Sequence, residues 1–134
     1  MTLLKLYGIT SVAFFALDLI WLGVVARGFY REQLGPLLRA EVLWPVALAF
    51  YAIYIAGILV FAVLPALQSE SWLRAVALGG FFGLVAYATF DLTALALLRD
   101  FPPVVVAVDL IWGVVLTSGV AATAYAVGRG LGLG

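Results

Sequence analysis

Residues 6–26, 42–67, 75–98 and 102–127 are four apolar stretches that take up most of the chain. Each reaches the roughly 20 residues that a hydrocarbon core of about 30 Å requires. In lipid such a segment must satisfy its own backbone polar groups, which leaves helices or a closed barrel. Barrel strands alternate apolar and polar residues over about ten positions, whereas residues 46–67 and 104–116 are nearly continuous apolar runs. The sequence therefore predicts an all-α, polytopic transmembrane four-helix bundle. The remaining residues make short connections, so 1–134 is read as a single four-helix domain.

Composition removes several function classes. With 66% hydrophobic and 10% charged residues, the chain is far from a soluble domain, where about 25% are charged. Seven basic and seven acidic residues cancel, and no basic cluster offers the several Lys or Arg on one face that phosphate binding needs. The chain has neither Cys nor His, so disulfides, thiol nucleophiles, structural zinc and a Ser-His-Asp triad are excluded together. Chemistry is left to Asp, Tyr, Thr, Ser, Trp and backbone. The first stretch is too long for a signal-peptide core and lacks a clear small-residue cleavage site, so it is expected to stay as the first span.

The connections differ in character. The first interleaves Arg27, Arg31, Glu32, Arg39 and Glu41 with Phe29, Tyr30, Leu34, Leu37 and Leu38. That pattern predicts a short amphipathic helix in the headgroup plane, interrupted at Gly35-Pro36. The second is the polar link 68–71, with Pro65 in the turn before it and Trp72 beside it. The third is Arg99-Asp100 followed by Phe101-Pro102-Pro103, where Pro starts the last helix. Charge bias between the two sides is nearly balanced and weakly favours cytoplasmic first and third connections, with both termini outside. Tyr7, Trp72 and Tyr125 are assigned to one aromatic belt, Tyr30 and Trp44 to the other.

Asp18, Asp91 and Asp109 lie inside the apolar stretches. Ionisable groups there are costly and mark functional sites by default. If the chain threads back and forth, all three sit near one depth, on the side of the first and third connections. Gly79, Gly83, Tyr87 and Asp91 share one helix face, as do Asp109, Gly113, Thr117 and Ala121, and small residues so spaced let membrane helices approach closely. Tyr51 and Tyr54, about two turns after Trp44, reach the same level, and Thr89 and Thr93 flank Asp91. The predicted site is a carboxylate cluster of Asp18, Asp91 and Asp109, roofed by Trp21 and the first connection and walled by Tyr51, Tyr54 and Tyr87. Trp112 and Thr117 lie beneath, and Thr93 stands beside it. Residues 16–21 and 107–112 echo each other around Asp-x-x-Trp, a spacing that puts Asp and Trp on one helical face. Membrane lipids are the expected surroundings, and a proton, small cation or apolar ligand the expected occupant.

The bland alternative is that the aspartates are interhelical glue, a role worth on average about 0.6 kcal/mol per hydrogen bond.

The stretch Phe81-Phe82-Gly83-Leu84-Val85-Ala86-Tyr87-Ala88-Thr89-Phe90-Asp91-Leu92-Thr93 resembles the bacterial membrane-protein family of domain of unknown function 2177. Val108-Asp109-Leu110-Ile111-Trp112-Gly113, Leu17-Asp18-Leu19-Ile20-Trp21-Leu22-Gly23 and Phe29-Tyr30 fit the same pattern. The resemblance covers nearly the whole chain and implies a small four-helix protein of bacterial inner membranes, with no established activity. Where that pattern often continues Asp-Leu-Thr with Asn, this chain has Ala94.

Three readings follow. The first is a proton- or cation-linked transporter or channel-like protein, expected as a homodimer because four helices enclose little volume. No mid-span helix break is expected, so the usual signature of transporters is missing. A membrane-embedded enzyme or enzyme subunit acting on lipid ranks below it, because nothing specifies a nucleophile, metal or cofactor. The third is a structural or accessory subunit.

Overall fold

The computed structural model describes every residue except Met1, Ala26, Ala40 and Gly134. Helix α1 (Thr2–Ile20) runs into a π-helical turn (Trp21–Val25), and α2 (Arg27–Leu34) follows. A 3₁₀ turn (Gly35–Leu37) leads towards α3 (Trp44–Ile58), which continues through a second π-helical turn (Leu59–Val63) into α4 (Leu64–Ser69). Helices α5 (Trp72–Leu97) and α6 (Pro103–Gly130) complete the chain. Four membrane-length spans result, Thr2–Val24, Trp44–Ser69, Trp72–Leu97 and Pro103–Gly130. They match the four expected stretches with boundaries moved by a few residues; the expected end of the first, at Ala26, lies outside the described residues.

The amphipathic helix after the first span forms as α2, and it stops where Gly35 takes a positive φ of 40° and Pro36 enters the 3₁₀ turn. The second span departs from expectation. Pro65 lies within a continuous helix rather than in a turn, and the span has a mid-course irregularity. Proline has no N–H to donate to the carbonyl four residues back. The helix absorbs this by widening just before it, where the Leu64 N–H reaches back five residues to the Leu59 carbonyl. Such single π turns are a recognised way to relieve a helix without breaking it.

Helix α6 is the hub, in contact with α1, α5 and the second span, and α5 with α6 is the most extensive pair. Lipid supplies no hydrophobic drive between helices, so close packing must hold them. Where α5 crosses α6, Gly79 lies against Ala121 and the Thr117 carbonyl, and Gly83 against Gly113 and Thr117. The main core fills the half of the bundle near the termini and the second connection, with Leu6, Phe14, Ile55, Ile58, Val63, Leu116 and Val120 buried together. A smaller cluster of Ala94, Phe101, Val105 and Val106 sits at the α5–α6 corner, and Phe29, Tyr30 and Leu34 of α2 pack on it. Helix α2 is thereby fastened over the end of the bundle that carries the aspartates.

Of the residues assigned to the belts, Trp44 and Trp72 are exposed. Tyr125 instead is buried in the main core, and the Tyr7 hydroxyl donates to the Ala52 carbonyl at 3.0 Å, tying α1 to α3.

Candidate functional site

The packed face of α5 continues from Gly83 through Tyr87 to Asp91, one turn apart each time. Gly113 has no side chain to hold Tyr87 away: a Cβ there would lie 2.5 Å from the Tyr87 ring. The ring therefore lies against the α6 backbone, one turn beyond Asp109. Asp91 is fully buried, and neither carboxylate oxygen has a hydrogen-bond partner. Its neighbour is the Asp109 carboxylate. The two line a cavity of about 410 Å³ whose other walls are Phe50, Ala86, Tyr87 and Phe90.

A second cavity of about 380 Å³ is also lined by Asp109. It shares Phe50, Tyr87 and Asp109 with the first and is otherwise walled by residues of α1, α2 and α3, among them Asp18, Trp21, Tyr30 and Tyr51, together with Trp112 of α6. The Trp21 and Trp112 rings stack face to face, with centroids 4.5 Å apart and planes at 11°. Asp18, nearly buried, sits beside Trp112. The two Asp-x-x-Trp segments thus meet through their indoles; because α1 and α6 run antiparallel, the same spacing leads from that stack to Asp18 in one direction and to Asp109 in the other. Trp21 and Trp112 form one wall instead of a roof and a floor.

Of the expected cluster of three carboxylates, Asp91 and Asp109 are neighbours, while Asp18 lines a second cavity that Asp109 also lines. Among the described residues no three acidic side chains come close enough to hold a metal ion. The reason is topological: α1 and α5 pack on different sides of α6, so Asp18 and Asp91 face Asp109 from separate cavities.

Tyr30 donates a hydrogen bond to the Asp109 carboxylate. Sequence reasoning had placed Tyr30 in the belt; its position on the apolar face of α2, above the aspartate level, was the available signal. Burial first, then the hydrogen bond to Asp109 and that group's charge, push the Tyr30 phenol above its ordinary value of 10.0. Because the folded value is raised, the latch is complete below pH 10 and weakens as pH climbs beyond it. Hydrogen bonds to charged groups contribute about 1.5–3 kcal/mol. Tyr30→Phe is therefore expected to speed amide exchange in α2 by roughly tenfold or more, since 1.4 kcal/mol is a factor of ten; unchanged exchange would show that the latch holds nothing.

The remaining candidates divide. Tyr51 and Tyr87 line the aspartate cavities. Tyr54 turns away from them, its hydroxyl 2.6 Å from Thr117 Oγ1 in a buried pair linking α3 to α6. Thr93 is exposed and lines neither aspartate cavity, and Thr89 bonds back to the Val85 carbonyl within its own helix. Phe50 and Phe90 were not anticipated, for a lone Phe in an apolar run carries no periodic signal.

A family model described as a predicted membrane protein, domain of unknown function 2177, matches residues 3–126. The chain belongs to this family. No curated protein and no solved structure matches it. In this member of the 2177 family, Ala94 is buried at the α5–α6 corner with Phe101 and Val105, in the cluster on which Phe29, Tyr30 and Leu34 of α2 pack. The match and the four spans together make it an integral membrane protein.

Proposed function

We propose that the protein is a small membrane transporter that moves a cation in exchange for protons at the Asp91–Asp109 pair. One observation carries the reading: a buried carboxylate within a membrane-length helix, with both oxygens unpartnered, beside a second carboxylate, on the wall of a cavity. Native proteins seldom leave buried polar atoms without partners, and exceptions call for an explanation. Adjacent like charges repel strongly in low dielectric, so the pair calls for a proton or a cation. The Tyr30 latch, which ends on the same carboxylate, puts α2 where it would respond to what Asp109 holds. The widened turn in the second span relieves a proline without unwinding the helix, and the reading does not depend on a broken helix.

The test is proton movement in proteoliposomes that enclose a pH-sensitive dye, driven in turn by gradients of sodium, potassium or tetramethylammonium. Wild-type protein should dissipate the pH gradient for at least one of these ions. Asp91→Asn and Asp109→Asn should each slow it by at least about tenfold, a barrier change of 1.36 kcal/mol. No wild-type flux with any of the three, or wild-type rates in both variants, would overturn the reading.

A further inference from the structure

We propose that the cation is an organic ammonium ion, held in the cavity between α1 and α6 with its charge between Asp18 and Asp109 and its carbon surface against the Trp21–Trp112 stack. The inference rests on the transport reading for its purpose but on separate residues for its content. The cavity's size, about 380 Å³, falls in the range of about 300–1,000 Å³ typical of small-molecule sites. Its walls are chiefly aromatic faces, with Tyr51 and Tyr87 completing what the two indoles begin.

Aromatic faces attract cations through the negative charge of their π-systems, best of all when the cation is poorly hydrated and the site is dry. A hard metal ion wants six or more oxygen ligands. The two carboxylates here are carried by different helices, α1 and α6, and no third acidic group joins them among the described residues. An ammonium with methyl or methylene groups matches both halves of the lining, because its charge is spread over carbon surface.

Asp91 supplies the second requirement of an exchanger. Its unpartnered oxygens belong to the neighbouring cavity, which shares Asp109 with this one, so an ammonium at Asp109 and a proton on the Asp91 side compete for one shared carboxylate. No bond between heavy atoms forms or breaks.

Benzyltrimethylammonium is the probe, with neopentylbenzene as the neutral control of the same shape. Binding to the full-length protein in nanodiscs is read by equilibrium dialysis and by tryptophan fluorescence, after Trp44 and Trp72 on the exposed belts are replaced by Phe. The ammonium should bind saturably and the hydrocarbon should fail to displace it. Asp18→Asn and Asp109→Asn should weaken binding at least tenfold, and Trp112→Leu several-fold, with Trp112→Phe recovering part of the loss. Each variant is first shown to elute as wild type, and Asp18→Glu, which keeps the charge, should bind better than Asp18→Asn. Displacement by the neutral isostere, or full affinity in both Asn variants, overturns the proposal. Flux with sodium or potassium but no ammonium binding would overturn this assignment and leave transport standing; binding without any flux would do the reverse.

Discussion

Asp91→Val is expected to stabilise the bundle against unfolding in mixed detergent micelles by about 2–3 kcal/mol while abolishing cation-driven proton flux; the cost of an acidic group at the centre of a membrane helix sets that scale. The sign is what matters. A buried carboxylate that accepts no hydrogen bond loses its hydration on folding and recovers nothing from the protein. Valine fits a similar space and has no such loss. If Asp91 were interhelical glue, the opposite would hold, and removing it would destabilise by the value of the bonds it made. Here both oxygens lack partners and the neighbouring polar group is another carboxylate, so cohesion is a poor account of why α5 carries the group. A stability loss in Asp91→Val would mean that the carboxylate is paired in the folded protein, and the observation behind the transport reading would go with it. Stability given up at a site that must act is a common trade, and this variant measures its size.

The architecture was legible because lipid enforces it. Four long apolar runs can satisfy their backbones only as helices, and their ends shifted by just a few residues. The Gly79–Gly83 and Gly113–Thr117 stripes announced the α5–α6 seam for a similar reason, since small residues at a spacing of four have few other uses in a membrane helix. What escaped depended on direction in space. Periodicity placed Asp18, Asp91 and Asp109 at one depth but could not tell which sides of α6 would be taken by α1 and α5, so one cluster was expected where two cavities share Asp109. Tyr54 sits at the expected height yet turns to Thr117. Tyr30 and Tyr125 were both given to the belts, and each is instead used inside the protein. Near helix ends an aromatic residue can face headgroups or neighbours equally well, and its sequence position does not decide. The π turn before Pro65 is a compensation made by backbone alone, with no side-chain pattern to reveal it.

The seam itself predicts the largest structural effect of any single substitution. A Cβ at position 83 would overlap the Gly113 carbonyl oxygen and come within 2.7 Å of Thr117 Oγ1. The first of these is backbone, which cannot rotate aside as a side chain can, so α5 and α6 must separate. Overpacking costs typically about 1–3 kcal/mol and sometimes more; Gly83→Val, with two further methyl groups in the same contact, should reach or exceed 3 kcal/mol. The neighbouring Gly80 provides the control, because a Cβ there meets only Val114 and Ser118 side-chain carbons at 3.5 and 3.7 Å. Gly80→Ala should therefore be neutral or slightly stabilising, since Ala exceeds Gly in helix propensity by about 1 kcal/mol. The consequence reaches the site. Tyr87 and Asp91 stand one and two turns beyond Gly83 on the same face, and Tyr87 is seated by its contact with Gly113. Prying α5 from α6 draws Asp91 away from Asp109 and breaks the Tyr54–Thr117 pair, so Gly83→Val should lose flux as well as stability. Equal tolerance at positions 80 and 83 would show that the two helices do not meet backbone to backbone, and the shared wall on which both cavities depend would not exist.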